Sequence, residues 1–192
     1  MKKLEISGHA AIGGRVKAEE VRVKGILKVA KDCETEIFKA ESQFIIGGLL
    51  NAEHIEIQIY GECTAKEIGC QTIKVKYESF HSSGGFEIKG LLTAETINIV
   101  LRFGSSKAEE IGGGKITVKR KKNSLFPFGK ETGSLQTKVI EGDDIYLENT
   151  TADIVRGNKI KIGPGCIIGT VEYRTDFQQD PDSTVKTVSG TK

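Results

Sequence analysis

Gly48-Leu49-Leu50-Asn51-Ala52-Glu53-His54-Ile55-Glu56-Ile57 returns 42 positions later as Gly90-Leu91-Leu92-Thr93-Ala94-Glu95-Thr96-Ile97-Asn98-Ile99. A second block, 65–76, returns 43 positions later as 108–119, so one residue is inserted between the two blocks. Shorter echoes of the same phrase are Gly14-Arg15-Val16-Lys17-Ala18-Glu19, Gly61-Glu62-Cys63-Thr64-Ala65-Lys66 and Gly104-Ser105-Ser106-Lys107-Ala108-Glu109. Self-similarity of this kind marks a solenoid, in which each coil buries its apolar face against the next. Within the blocks apolar residues alternate with polar ones: Ile55, Ile57, Ile59; Ile73, Val75, Tyr77; Ile97, Ile99, Leu101, Phe103. Ile116 with Val118, Ile145 with Leu147 and Ile160 with Ile162 continue the pattern. Period two over short β-branched runs is the strand signal, and no stretch sustains a 3.6-residue period. Short strands joined by Gly corners, with like residues in matching rows, are what a parallel β-helix needs. The expected fold is therefore all-β, with little or no helix.

The expected organisation is a single domain over 4–173, interrupted by an excursion at 120–138, with a flexible tail at 176–192. The excursion begins Arg120-Lys121-Lys122-Asn123 and carries Pro127 and Gly129, which break the strand pattern. Strand character resumes near Val139. The tail is polar and has few apolar residues with which to order itself.

Bulk composition narrows the classes. The 192 residues are 38% hydrophobic and 28% charged, a folded composition with a thin core. A net charge of +2 is too small to argue for a nucleic-acid partner. Abundant Gly (23) with scarce Pro (3) suits many tight corners. The start, Met1-Lys2-Lys3-Leu4-Glu5-Ile6, lacks the apolar stretch of a signal peptide, and no window approaches the length of a spanning helix. Cys33, Cys63, Cys70 and Cys166 form no CxxC pair and read as reduced thiols in a cytoplasmic protein.

Candidate chemistry is sparse. Glu19, Glu41, Glu53, Glu95 and Glu109 each follow an Ala. A carboxylate in every coil reads as a solvated corner, since a catalytic pair is needed once. His9, His54 and His81 lack metal-ligand spacing. Gly112-Gly113-Gly114-Lys115-Ile116 fails the phosphate-loop pattern, which wants Gly where Glu109 stands and Ser or Thr where Ile116 stands. No catalytic residue, cofactor or metal is expected. Ile160-Lys161-Ile162-Gly163-Pro164-Gly165-Cys166-Ile167-Ile168-Gly169 resembles the hexapeptide repeat of left-handed β-helix acyltransferases, the competing class, but it covers about two hexads and no His accompanies it. The stretch Lys119, Arg120, Lys121, Lys122 followed by Leu125, Phe126 and Phe128 has two readings. One is a solvated loop whose Phe residues fold back on the stack. The other docks it on an anionic membrane surface or a partner protein.

Leu4-Glu5-Ile6-Ser7-Gly8, the Gly-x-apolar-x-Ala-Glu coils, Ile140-Glu141-Gly142-Asp143-Asp144-Ile145-Tyr146-Leu147-Glu148-Asn149, Val155-Arg156-Gly157 and Ile162-Gly163-Pro164-Gly165-Cys166 together resemble the bactofilin family of polymer-forming bacterial cytoskeletal proteins. The likeness spans most of 4–173 and is nearest to the longer, Firmicute-type branch. It implies a right-handed parallel β-helix that assembles end to end, without nucleotide, and scaffolds client proteins in cell shape, polarity or motility. The expected partners are further copies of the chain and unidentified clients. The residues expected at the self-association surfaces are Leu4, Ile6 and Ile12 at one end, with Ile167, Ile168 and Val171 at the other. The 120–138 excursion and the C-terminal additions are departures from a short uniform core, and they are candidates for capping one end.

Overall fold

A computed structural model describes residues 1–59, 63–77, 85–101, 104–120 and 133–191. Among the described residues fourteen strands form a single sheet in which every pairing is parallel. They are β1 (Lys3–Ile6), β2 (His9–Ile12), β3 (Val16–Lys17), β4 (Glu20–Val23), β5 (Ile26–Val29), β6 (Cys33–Ala40) and β7 (Gln43–Ile59). They continue as β8 (Cys63–Tyr77), β9 (Phe86–Leu101), β10 (Ser105–Arg120), β11 (Ser134–Leu147), β12 (Thr150–Ile162), β13 (Ile167–Gln179) and β14 (Thr184–Gly190). No helix occurs among the described residues. The chain winds as a parallel β-helix of about 9 turns.

Register explains why the alternating residues suffice. One column runs in register through Leu4, Val21, Phe38, Ile55, Ile73, Ile97, Ile116, Ile145, Ile160 and Phe177, with inward side chains on both sides of position 73. Another runs Val16, Cys33, Leu50, Ile68, Leu92, Ile111, Ile140, Val155, Val171, Val188. Neighbouring strands lie about 4.8 Å apart. Each apolar side chain therefore rests on its equivalent one coil away, and a thin core is closed without a second layer. Phe38 and Phe44 meet edge to face inside it, ring centroids 5.1 Å apart.

The internal repeat proves to be a two-coil unit. Ile55 and Ile97 occupy one column with Ile73 between them, so each copy of the repeat spans two turns. The Gly-x-apolar-x-Ala phrase also serves two corners. Ala52 and Ala94 share a column through Cys70, whereas Ala65 and Ala108 both flank Ile88 in a different one. The second column also holds Ile46 and Ile88, so large and small apolar residues alternate along it.

Glycine takes over the first of these corners along the stack. Gly113, Gly142 and Gly157 follow one another in register. A Cβ on Gly142 would stand 2.5 Å from the Gly113 carbonyl oxygen, so only glycine allows the coils to approach there.

Two expected boundaries need correction. Strand resumes at Ser134 rather than near Val139, and β10 runs through Arg120, so the excursion is shorter than 120–138. Residues 121–132 lie outside the described ones. The expected flexible tail is also replaced by structure: β13 extends to Gln179, and β14 adds Thr184–Gly190 against it. Residues of β14 are largely exposed, and backbone pairing to a finished coil holds them where side-chain burial alone does not.

Candidate functional site

The first coil is built from β1, β2 and β3. Its inward residues Leu4, Ile6, Ala10 and Ile12 pack on the core yet stay only partly buried. Their register partners one coil in, Val21, Val23, Leu27 and Val29, are at most 2% exposed. The difference measures one missing neighbour. β1 pairs with β4 alone and β2 with β5 alone, so their other backbone edges face outward among the described residues. Leu4, Ile6 and Ile12 all lie in this first coil, the outermost level among the described residues on that side.

The other end differs from expectation. Ile168 and Val171 are fully buried, because β14 lies over them: Ile168 pairs with Val185 and Val171 with Val188. They are core residues and are withdrawn as surface candidates. Ile167 is 55% exposed but points outward between Thr151 and Thr184. The terminal level is instead formed by Phe177, Val185 and Val188, with Tyr173 stacked on Phe177 at 5.6 Å. Val185 and Val188 are three apart because the chain turns a corner between them, as it does between Ile168 and Val171. That spacing hides them from a search for period two.

A turn stiffens this end. Ser183 N donates to Asp180 O at 3.1 Å, and Asp182 N to Asp180 Oδ1 at 2.9 Å. Ser183 Oγ donates to Gly163 O at 2.6 Å and accepts from Cys166 N at 2.8 Å. The Gln179 amide donates to Ser183 O at 2.8 Å.

The flanks show charge ladders. Arg156 bridges Glu141 and Glu172, which occupy the coils before and after it. Lys3 and Lys24 both reach Glu5 and hold its carboxyl below the usual range. Lys119 lies over the Tyr146 ring at 5.7 Å, and Arg120 N donates to Glu148 Oε2 at 2.6 Å. Both residues are thereby tied to the next coil. Lys121, Lys122, Leu125, Phe126 and Phe128 lie outside the described residues, as does His81.

Glu19, Glu41, Glu53, Glu95 and Glu109 are exposed, and Lys138 pairs with Glu109. Among the described residues no three His, Cys, Asp or Glu residues are grouped to hold a metal ion. Gly112-Gly113-Gly114 lies inside β10 as a corner. Burial pushes the Cys33 thiol up to about 12 and that of Cys166 to about 11. The hydrogen bond to Glu148, 2.6 Å long, is the main reason the Tyr146 hydroxyl is raised to about 12. An open groove of about 940 Å³ lies beside Gly113, Gly142 and Gly157. Among the described residues no helix is long and apolar enough to cross a membrane.

No family model matches the chain, and no solved structure does. The chain is 47% identical over 97 residues to a Bacillus subtilis protein described as uncharacterized protein YhbF, which covers 50% of this chain and 40% of that one. It is 44% identical over 102 residues to uncharacterized protein YhbE of the same organism, covering 53% of this chain and 43% of that one. The chain spans less than half the length of these curated relatives in the regions it matches.

Proposed function

We propose that this chain is a non-enzymatic structural protein that self-associates through the ends of its β-helix, without nucleotide, and so scaffolds other proteins in a bacterial cytoplasm. The observation that carries this reading is the half-buried state of Leu4, Ile6, Ala10 and Ile12 above fully buried partners. A level of that kind offers apolar surface and unpaired strand backbone together, which is the template for pairing with another chain. Solenoids that stay single usually cover such levels with polar capping repeats. Contacts of this kind that do not close on themselves produce fibres. The sequence likeness to bactofilins points the same way.

The acyltransferase alternative draws no support from coil length. Coils built of whole hexads keep register partners a multiple of six apart. Ile145 pairs with Ile160, Ile160 with Phe177 and Ile168 with Val185, and none of these steps is such a multiple.

Negative-stain microscopy of the purified chain without nucleotide tests the reading. Filaments or sheets are expected from the parent, and discrete particles from Ile6→Lys and Ile12→Lys. Discrete particles alone from the parent protein count against self-association. Undiminished filaments from both variants count against the N-terminal contact.

A further inference from the structure

Three consecutive glycines, Gly112-Gly113-Gly114, interrupt the side-chain surface of β10. Packing against backbone accounts for only one of them. A Cβ on Gly113 would run into the Ala94 carbonyl oxygen of the preceding coil. A Cβ on Gly112 meets nothing nearer than 3.9 Å, and one on Gly114 comes closest, at 2.5 Å, to the end of the flexible Glu95 side chain. Neither glycine has a positive φ. Glycine weakens a strand interior, and where no turn demands it, it leaves room for a close approach from outside.

What the glycines leave is a notch. Gly112 lies in register between Thr93 and Glu141. Side chains of β9 and β11 therefore face each other across two strand spacings, about 9.6 Å, with bare backbone between them. The notch opens into the groove of about 940 Å³ beside Gly142 and Gly157. Its two flanks differ in chemistry. One is the register column Leu91, Glu110, Val139, in which Leu91 is 39% exposed and Val139 half-buried. The other is Glu95, Gly114, Asp143, each one position before the register partners Thr96, Lys115 and Asp144.

Glu95, Glu110 and Asp143 are exposed, and among the described residues no ion pair involves them. Asp143 accepts from the Asn158 amide at 2.7 Å. Arg156, in the same groove, is already shared between Glu141 and Glu172, and Arg174 stands in β13, three coils from the notch. The chain as a whole carries +2, so attraction of a cation here is local and not a property of the bulk charge. The carboxylates are too dispersed for a metal ion, since no three such groups converge among the described residues. The charge that complements them is spread along a chain. An extended peptide turns alternate side chains to opposite sides. One with Lys or Arg at alternate positions would set its basic groups toward Glu95 and Asp143 and the residues between them toward Leu91 and Val139.

From this juxtaposition we infer that the glycine notch docks an extended segment of a partner protein in which Lys or Arg alternates with apolar residues. Docking here rests on the scaffold reading above and names the chemistry of a client, though it uses the flank of the stack and not its ends. It weakens with salt, because the carboxylates are solvent-exposed.

Fluorescence anisotropy of a labelled eight-residue peptide alternating Lys with Val, titrated with the full chain at low salt, tests the docking. Saturable binding by the parent is expected. Binding about tenfold weaker is expected from Glu95→Gln combined with Asp143→Asn, and from Gly112→Leu, which fills the notch. Glu41→Gln, at an exposed carboxylate outside the groove, is expected to match the parent. The neutralised pair keeps the test sound if Gly112→Leu disturbs folding, which urea unfolding reads. No binding by the parent, or undiminished binding by the neutralised pair, would overturn the site. Equal binding of a peptide alternating Glu with Val, or displacement by spermidine as readily as by unlabelled peptide, would overturn the occupant. Negative-stain microscopy of the same samples separates the docking from the reading beneath it. Filaments that bind no peptide overturn the docking alone. Discrete particles that bind it through the notch support the docking and count against self-association.

Discussion

Gly165 packs against Asn149 of the adjacent coil, and both turn their corners with left-handed backbone, at φ 76° and 47°. Asn149 N donates to Pro164 O at 3.0 Å, and its side-chain amide to Gly133 O at 3.2 Å. Asn tolerates this conformation through local hydrogen bonds; other side chains pay for it.

Gly165→Ala is accordingly expected to destabilise the protein by about 1–2 kcal/mol from backbone conformation, before its Cβ meets Asn149 Oδ1. Urea unfolding should show a lower midpoint with an unchanged slope.

Two glycines within one stack should behave oppositely. A Cβ on Gly112 finds only ordinary contacts at 3.9 Å, whereas one on Gly142 meets backbone oxygen at 2.5 Å. Gly112→Ala is expected to be neutral or to stabilise by up to about 1 kcal/mol through the unfolded chain. Gly142→Ala should lower the melting temperature clearly. Thermal melts of the two variants side by side check the contrast, and equal effects would contradict the corner geometry.

Phe38→Ala removes a fully buried ring and its edge-to-face contact with Phe44. The expected loss is about 3–5 kcal/mol. Coils interact only with their neighbours, so hydrogen exchange should quicken most in β4, β6 and β7 and least in β12 and β13. Uniform acceleration along the chain would show a more cooperative unit than this architecture implies.

Alkaline pH probes the buried thiols. Cys33 and Cys166 ionise at about 12 and about 11 when folded, against a reference of 9.0, because burial disfavours the thiolate. The folded state therefore binds more protons in that window. Their contribution is complete below about pH 9 and declines as pH rises toward 11 and 12. Unfolding midpoints at pH 10.5 should fall below those at pH 8. At pH 8 these two thiols should label with a thiol reagent only after denaturant is added.

The alternation of Ile55 with Ile57, and of Ile97 with Ile99, is enough to read strands, coils and an apolar interior from the chain alone. The first end is legible too, because Leu4 and Ile6 lie in a straight run of period two. The far end is not. Val185 and Val188 straddle a corner, and β14 owes its order to the β13 backbone more than to its own residues. Ser106 and Thr150, both fully buried, also escape a search for apolar positions. Thr150 settles its hydroxyl on Glu148 O at 3.0 Å, a local bond that composition does not reveal.

Coils of equal length recur in direct succession from Lys3 through Glu20 and Ile37 to His54. Duplicating one of them would lengthen the rod by a single strand spacing and leave both terminal faces chemically untouched. The length of the stack and the chemistry of its outer levels are thus separable, and whole turns are the unit in which it can be extended or shortened.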